Sequence, residues 1–144
     1  MRVVIGTDGS PHADRAVLWV ARWGHTFGGL DVTLINVGHI PHAPAVGPGV
    51  HRLSDFRIIA ERLESEGEDI LVHAARAFTE HGTHVTTVYR TGDPAEEILK
   101  LAQEVRADLI VLGRRGLGRI GGLVLGSVSE RVLHGAHCSV VIAR

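Results

Sequence analysis

Five short apolar runs, each followed or preceded by a helical pattern, constrain this chain more than any other feature. The runs are Arg2–Thr7, Leu30–Val37, Thr83–Arg90, Ala107–Leu112 and Ser139–Ala143. The first is β-branched and does not alternate, which suits a parallel strand covered on both faces. Between the runs the spacing predicts helices from Pro11 to about Phe27, from Ser54 to about His81, from Asp93-Pro94 onward, and over Ser127–Gly135. Ser10 followed by Pro11 reads as an N-cap and a first-turn proline. Ala13, Ala16, Val17, Val20, Ala21 and Gly24 make the apolar stripe of the first helix, with Trp19 and Trp23 beside it. Ile58, Ile59, Leu63, Ile70, Leu71, Ala74, Ala75 and Phe78 are the expected inner face of the second, with Ser54 as its cap. Ala95, Ile98, Leu99, Ala102 and Val105 are that of the third.

Strand and helix alternate four times and close on a fifth strand. That pattern predicts an α/β fold: a Rossmann-like parallel five-stranded sheet with helices on both faces and right-handed crossovers. With 144 residues, a single domain over 1–144 is expected. Ligands in such sheets sit at the C-terminal strand ends, where the strand order reverses. Order 2-1-3-4-5 would leave the end of the fourth strand away from the reversal. Order 3-2-1-4-5 puts Thr7 and Asp8 beside Gly113 in one crevice. The unusual residues cluster at strands one and four, so the expected order is 3-2-1-4-5.

The loop after the fourth strand is Gly113–Ser127, with glycines at 113, 116, 118, 121, 122 and 126. Such a loop lets backbone N–H groups approach a ligand without Cβ obstruction. The following helix adds N–H groups at Gly126, Ser127 and Val128 and the positive end of its dipole. Together these suit an anion, typically a phosphate. Arg114, Arg115 and Arg119 add positive charge. Read locally, the same residues also describe a long surface loop with a good helix cap, a role Ser127 can fill. Asp8 has two local readings as well: a turn former ahead of Gly9, or a carboxylate placed to accept from ribose hydroxyls or an amino group.

The spacing Gly113-x2-Gly116-x9-Gly126-Ser127 resembles the nucleotide loop of the ATP-binding branch of the universal stress protein family. The resemblance covers nearly the whole chain. Val3–Ser10 is similar to the family's opening strand with its terminal Asp-Gly-Ser, Thr91-Gly92-Asp93-Pro94 to its Gly-x-Pro turn, and Gly126–His134 to its last helix. The chain departs from the family at Ala136-His137-Cys138-Ser139-Val140, where many members read Ala-Pro-Cys-Pro-Val. The resemblance implies order 3-2-1-4-5 and an adenine nucleotide, ATP with Mg2+, between strands one and four. It implies Asp8 at the nucleoside, Gly6, Thr7 and Val37 flanking the base, and Gly113, Arg114, Arg115, Gly116, Gly126, Ser127 and Val128 at ribose and phosphates. It also implies a homodimer paired through Ser139–Ala143, a strand that as an apolar sheet edge needs cover.

Formal net charge is −1, which gives no reason to expect a nucleic-acid or membrane surface. No apolar stretch approaches the roughly 18 residues that span a bilayer, and a strand starting right after Met1 leaves no room for a signal peptide. The lone Cys138 excludes an internal disulfide framework, suits a reducing cytoplasm, and at the head of the last strand reads as a buried thiol. Gly116-Leu-Gly118-Arg-Ile-Gly121 is formally GxGxxG, but no acid follows about 20 residues on, which argues against a dinucleotide. Gly126-Ser127 lacks the lysine of a Walker loop. A receiver's acidic cluster is missing. The histidines form no HExxH pair; His39, His42 and His51 share the loop after the second strand, a segment long enough to be a lid or a binding loop. No general base aimed at a γ-phosphate and no arginine finger can be identified. The expectation is therefore a nucleotide-binding regulator or sensor with at most slow hydrolysis. An AMP or cyclic-AMP binder, or a nucleotide-independent interaction module, are the alternatives.

Overall fold

The computed structural model describes residues 1–24, 26, 29–39, 53–81, 83–116 and 125–144. The elements run β1 (Arg2–Gly6), α1 (Pro11–Gly24), β2 (Asp31–Gly38), α2 (Leu53–Ala75), a 3-10 turn (Arg76–His81), β3 (His84–Thr91), α3 (Pro94–Glu104), β4 (Leu109–Gly113), α4 (Ser127–Gly135) and β5 (Ser139–Ala143). The five strands form one parallel sheet in the order β3-β2-β1-β4-β5. The chain moves outward from β1 through β2 to β3, then returns to the other side of β1 for β4 and β5. The order therefore reverses between β1 and β4, as the clustering of unusual residues implied.

Strand geometry sorts the core into two layers, because successive side chains point to opposite faces. Val3 and Ile5 of β1 join Val32, Leu34 and Val111 under α1 and α2, through Ala16, Val17, Val20, Leu71 and Ala74. Val4 joins Ile35, Ile110 and Leu112 under α3 and α4, through Ile98, Leu101, Ala102 and Val132. Both faces of β1 are sealed, which is why its sequence carries no alternation.

Two helices start where the sequence placed them, each with a side-chain cap. Ser10 is 2% exposed, and its Oγ accepts from the Ala13 N–H at 3.2 Å, closing the first turn behind Pro11. Asp93 caps α3 by accepting from the Glu96 N–H at 3.0 Å. Helix α1 ends at Gly24, short of Phe27, which lies outside the described residues, as does Gly28. The Ser54 side chain also lies outside them. Two assignments need correction. Ile58 and Ile59 are 60% and 48% exposed, although their spacing placed them on the inner face of α2. Only the C-terminal half of that face, at Leu71, Ala74 and Phe78, is buried against the sheet, with Leu63 and Ile70 partly covered. The last turn then tightens to 3-10 from Arg76, as helix ends often do. Trp19 packs against the first core layer while Trp23 stays half exposed. Cys138 is half-buried against the second layer, and burial pushes its thiol pKa up, which disfavours a reactive thiolate.

Candidate functional site

A cleft of about 680 Å3 opens over the C-terminal ends of β1, β2 and β4, at the reversal of strand order. Gly6, Thr7 and Asp8 enter it from β1, Val37 from β2, Gly113, Arg115 and Gly116 from β4, and Gly126, Ser127 and Val128 from the start of α4. Helix α2 closes one side with Leu63, Gly67 and Ile70, and the start of α3 another with Asp93, Pro94 and Ile98. Of the residues expected from sequence, Arg114 alone does not line the cleft. Its N–H donates to Ala143 O at 3.0 Å, extending the β4–β5 ladder past Gly113.

The floor is tightly bonded. Thr7 is buried; its N–H donates to Ile35 O at 2.9 Å, its carbonyl accepts from Asn36 Nδ2 at 2.8 Å, and its Oγ1 accepts from the Gly9 N–H at 3.3 Å. Thr7 thus forms a rigid floor with both backbone groups already committed. Asp8 Oδ1 accepts from the Ser10 N–H at 3.0 Å, and Gly9 follows at φ +73°. That is the side-chain-stabilised turn foreseen for this Asp-Gly pair. The same carboxylate faces the glycine loop: a Cβ on Gly116 would fall 2.4 Å from Asp8 Oδ2. One oxygen thus closes the turn while the other faces Gly116.

Gly113 has a different reason to be glycine. A Cβ there would lie 2.5 Å from the carbonyl carbon and oxygen of His12 and 2.7 Å from Ala13 N. It is the first turn of α1, not the cleft, that demands the missing side chain. Beside it, Ser129 Oγ donates to Gly113 O at 2.8 Å in a buried bond that ties α4 to the end of β4.

The start of α4 corrects two expectations. Gly126, not Ser127, is the N-cap residue, and no side chain caps it. Ser127 is the first helical residue and is exposed. The Gly126 N–H is already spent, donating to Arg114 O at 2.9 Å. The first intrahelical bond runs from the Glu130 N–H to Gly126 O, which leaves the N–H groups of Ser127 and Val128 without an intrahelical partner at the cleft wall.

The charge around this end is mixed but organised. Burial, then the charges of Arg15, Arg114 and Arg115, hold His12 below the ordinary imidazole range, against a smaller opposing pull from Asp8. At the rim, Arg131 donates to Asp93 Oδ2 at 2.6 Å and reaches Glu96 at 3.6 Å. The Arg131 hydrogen bond, with the Glu96 N–H, holds the Asp93 carboxyl below the usual range. His39, exposed at the mouth, pairs with Gly92 O at 3.3 Å.

Asn36, Gly67, Asp93, Ser129 and Arg131 were not singled out as cleft residues from sequence. Asp93 was noticed only as a helix starter. The others sit inside ordinary strand or helix patterns, and what joins them is a contact between elements distant in the chain. Gly118, Arg119, Gly121, Gly122, His42 and His51, and most of the long loop after β2, lie outside the described residues. Among the described residues no three His, Cys, Asp or Glu side chains are grouped to hold a metal ion, and no helix is long and apolar enough to cross a membrane.

Solved structures share this fold. Protein MJ0577 superposes with a TM-score of 0.85 at 23% identity, over 99% of this chain and 94% of that one. A universal stress protein in complex with cAMP gives 0.67 at 26% identity, over 100% and 96%. An Arabidopsis thaliana universal stress protein family protein with AMP bound gives 0.71 at 21% identity, over 99% and 90%. In sequence, universal stress protein MJ0531 of Methanocaldococcus jannaschii is 32% identical over 143 residues, which is 99% of this chain and 81% of that protein. Universal stress protein YxiE of Bacillus subtilis is 40% identical over 86 residues, 60% of this chain and 58% of its own length. The model of the Universal stress protein family matches residues 1–144, and the chain belongs to that family.

Proposed function

We propose that the chain binds an adenine nucleotide, ATP with Mg2+, in the cleft between β1 and β4, and acts as a nucleotide-dependent regulator or sensor in a stress response. One observation carries the reading. Residues from β1, β2, β4 and α4, chosen from sequence for a nucleotide, converge on one cleft at the sheet's reversal. The phosphates would meet the Ser127 and Val128 N–H groups at the positive end of α4, with Arg115 beside them. Asp8 would face the ribose, and Val37 would flank the base. The described residues offer no cage of three metal ligands. Mg2+ would therefore arrive on the phosphates, keeping water and taking at most the Ser127 hydroxyl or a single carboxylate.

Binding by itself is enough for function. At a nucleotide concentration about 1,000-fold above Kd, occupancy stabilises the fold by about 4 kcal/mol. AMP or cyclic AMP is the second reading, favoured by the family member solved with cAMP and the one solved with AMP. Hydrolysis, if present, is slow; single-turnover product formation measures it. The protein is expected to form a homodimer through β5, whose Val140, Val141 and Ile142 are only partly covered in the single chain. A monomeric mass by light scattering at micromolar concentration would count against that.

The decisive experiment is mass spectrometry of nucleotide released from the purified protein, then calorimetric titration with ATP, AMP and cyclic AMP. Asp8→Asn keeps an oxygen for the Ser10 turn but removes the charge. It should weaken the preferred nucleotide by about tenfold or more, since a charge-assisted hydrogen bond contributes about 1.5–3 kcal/mol. No released nucleotide, with no heat up to millimolar concentrations, would sink the reading and leave a nucleotide-independent interaction module.

A further inference from the structure

A second pocket, of about 260 Å3, lies at the opposite end of the sheet from the cleft, where β1, β4 and β5 begin. Its floor is one row across those three strands: Val3 pairs with Leu109, and Leu109 with Ser139. All three face α1. Val3 and Leu109 belong to the core layer under that helix, and Ser139 stands two residues before Val141, which packs there too. The last turns of α1 form the roof with Trp19, Val20 and Trp23. Leu30, 7% exposed, closes the side where the chain enters β2. The hollow has a cause in the sequence: the third position of the floor is a serine, whose short side chain leaves the space under the end of α1 unfilled.

The wall says what chemistry fits. Trp19 and Trp23 are one turn apart, so their side chains lie along one face of α1. Trp19 packs against the core, while Trp23 is 50% exposed, so one ring is anchored and the other borders solvent. Polar groups are few and mostly committed. Asp108 Oδ2 accepts from the Arg2 N–H at 2.7 Å, and Oδ1 lies 3.6 Å from the Arg2 guanidinium. That N–H bond holds the Asp108 carboxyl below its usual range, so an ionised carboxylate already tied to Arg2 stands at the solvent edge. The Asp108 N–H donates to Arg2 O at 2.9 Å, and Met1 O accepts from the Asp31 N–H at 3.0 Å. The exposed Ser139 remains as a hydroxyl at the rim.

Size narrows the occupant further. An apolar cavity of about 150 Å3 takes one benzene ring, so a pocket less than twice as large suits two fused rings. An alkyl ligand of that volume would forgo the offset and edge-to-face contacts that two indole side chains offer an aromatic one. A second copy of the chain is a poor match, because a stable interface needs about 20–30 residues a side and nine described residues line this pocket. We propose that the pocket binds a neutral two-ring aromatic compound of indole size, stacked against Trp19 and Trp23 over Val3 and Leu109, with a ring N–H donating to the Ser139 hydroxyl. This site is separate from the cleft and does not depend on the nucleotide reading.

The test is titration of nitrogen-labelled protein with unlabelled indole, followed by heteronuclear NMR. The chain has two tryptophans, so its spectrum carries two indole N–H signals, and both belong to the pocket. Both should move saturably with a midpoint at or below about 1 mM, while the amides of Gly6 and Gly116 in the cleft stay still. Indole-3-acetate, whose carboxylate meets Asp108, should bind at least about fivefold more weakly. Ser139→Leu, which extends a side chain into the hollow, and Trp23→Ala, which removes half of the aromatic wall, should each weaken indole at least about tenfold. Circular dichroism checks both folds, and either variant suffices if the other fails to fold. Indole signals that do not move, or cleft amides that move instead, would overturn the proposal. So would equal or tighter binding of indole-3-acetate, or unchanged affinity in the folded variants. Tryptophan signals that follow protein concentration and not indole would show a second copy seated there, and would overturn it as well.

Discussion

Gly113→Ala is the most informative single change, because the structure reassigns why that glycine is there. The added Cβ would sit 2.5 Å from the His12 carbonyl and 2.7 Å from Ala13 N. Carbon contacts are comfortable at about 3.5–4.0 Å, so the first turn of α1 must withdraw by about 1 Å. That turn cannot swing aside alone. Its Ala13 N–H is held by Ser10 Oγ at 3.2 Å and its Asp14 N–H by Ser10 O at 2.9 Å. The rest of the helix is locked by Ala16, Val17 and Val20 against the sheet. Overpacking of this kind costs about 1–3 kcal/mol. At about 3 °C per kcal/mol for a domain of this size, the melting temperature should drop by about 3–9 °C. The assay is thermal unfolding of nucleotide-free protein by circular dichroism, so that ligand linkage contributes nothing. Gly126→Ala is the control. Its nearest atom would be 3.3 Å away, and φ is −76°, open to any residue, so its loss should stay below about 1 kcal/mol. A nucleotide-free Gly113→Ala melting within about 1 °C of wild type would refute the packing argument. If the argument holds, loss of nucleotide in Gly113→Ala does not by itself identify a ligand contact.

Three further outcomes are expected. Ser10→Ala removes the α1 cap and should cost about 1 kcal/mol in urea unfolding; no change would mean water replaces the hydroxyl. Asp93 has its pKa depressed by Arg131, so its contribution is present above the unfolded carboxyl value of about 3.9 and is lost as pH falls through the lower folded value. Asp93→Asn retains a capping oxygen for Glu96 but loses the ion pair, so its stability should fall less steeply than wild type below about pH 4; parallel curves would show that Asp93 is not part of the acid response. Leu71→Ala, at 3% exposure, should cost about 2–5 kcal/mol, whereas Ile59→Ala should stay within about 0.5 kcal/mol. Equal losses would mean that α2 is covered along its whole length.

Local chemistry made much of the fold readable. α4 begins at Ser127 and ends at Gly135 as its pattern indicated, and Asp93-Pro94 starts α3 where expected. These features are set within a few residues by proline's fixed φ, by capping oxygens and by the helical period. The strand order was legible for a less local reason. A ligand crevice must lie at the reversal, and the odd strand ends were those of β1 and β4.

What sequence could not supply is which face meets what. Ile58 and Ile59 obey the helical stripe of α2, yet the sheet is reached only from about Leu63 onward, so the same pattern is buried in one half of the helix and exposed in the other. Gly113 reads as a ligand glycine until α1 is seen lying on it. The Gly126 N–H reads as free until Arg114 O takes it. Asn36 sits in an apolar strand with no local mark, and joins the cleft floor only because its amide bonds Thr7 O and Gly67 lets α2 pass over it. By itself, then, the sequence determined the succession of elements, their caps and the strand ends that carry the cleft, since each depends on neighbours a few residues away. Tertiary structure decided which N–H groups are spent, which glycines serve packing and which side chains share the cleft, since those depend on approaches of a few ångströms between elements far apart in the chain.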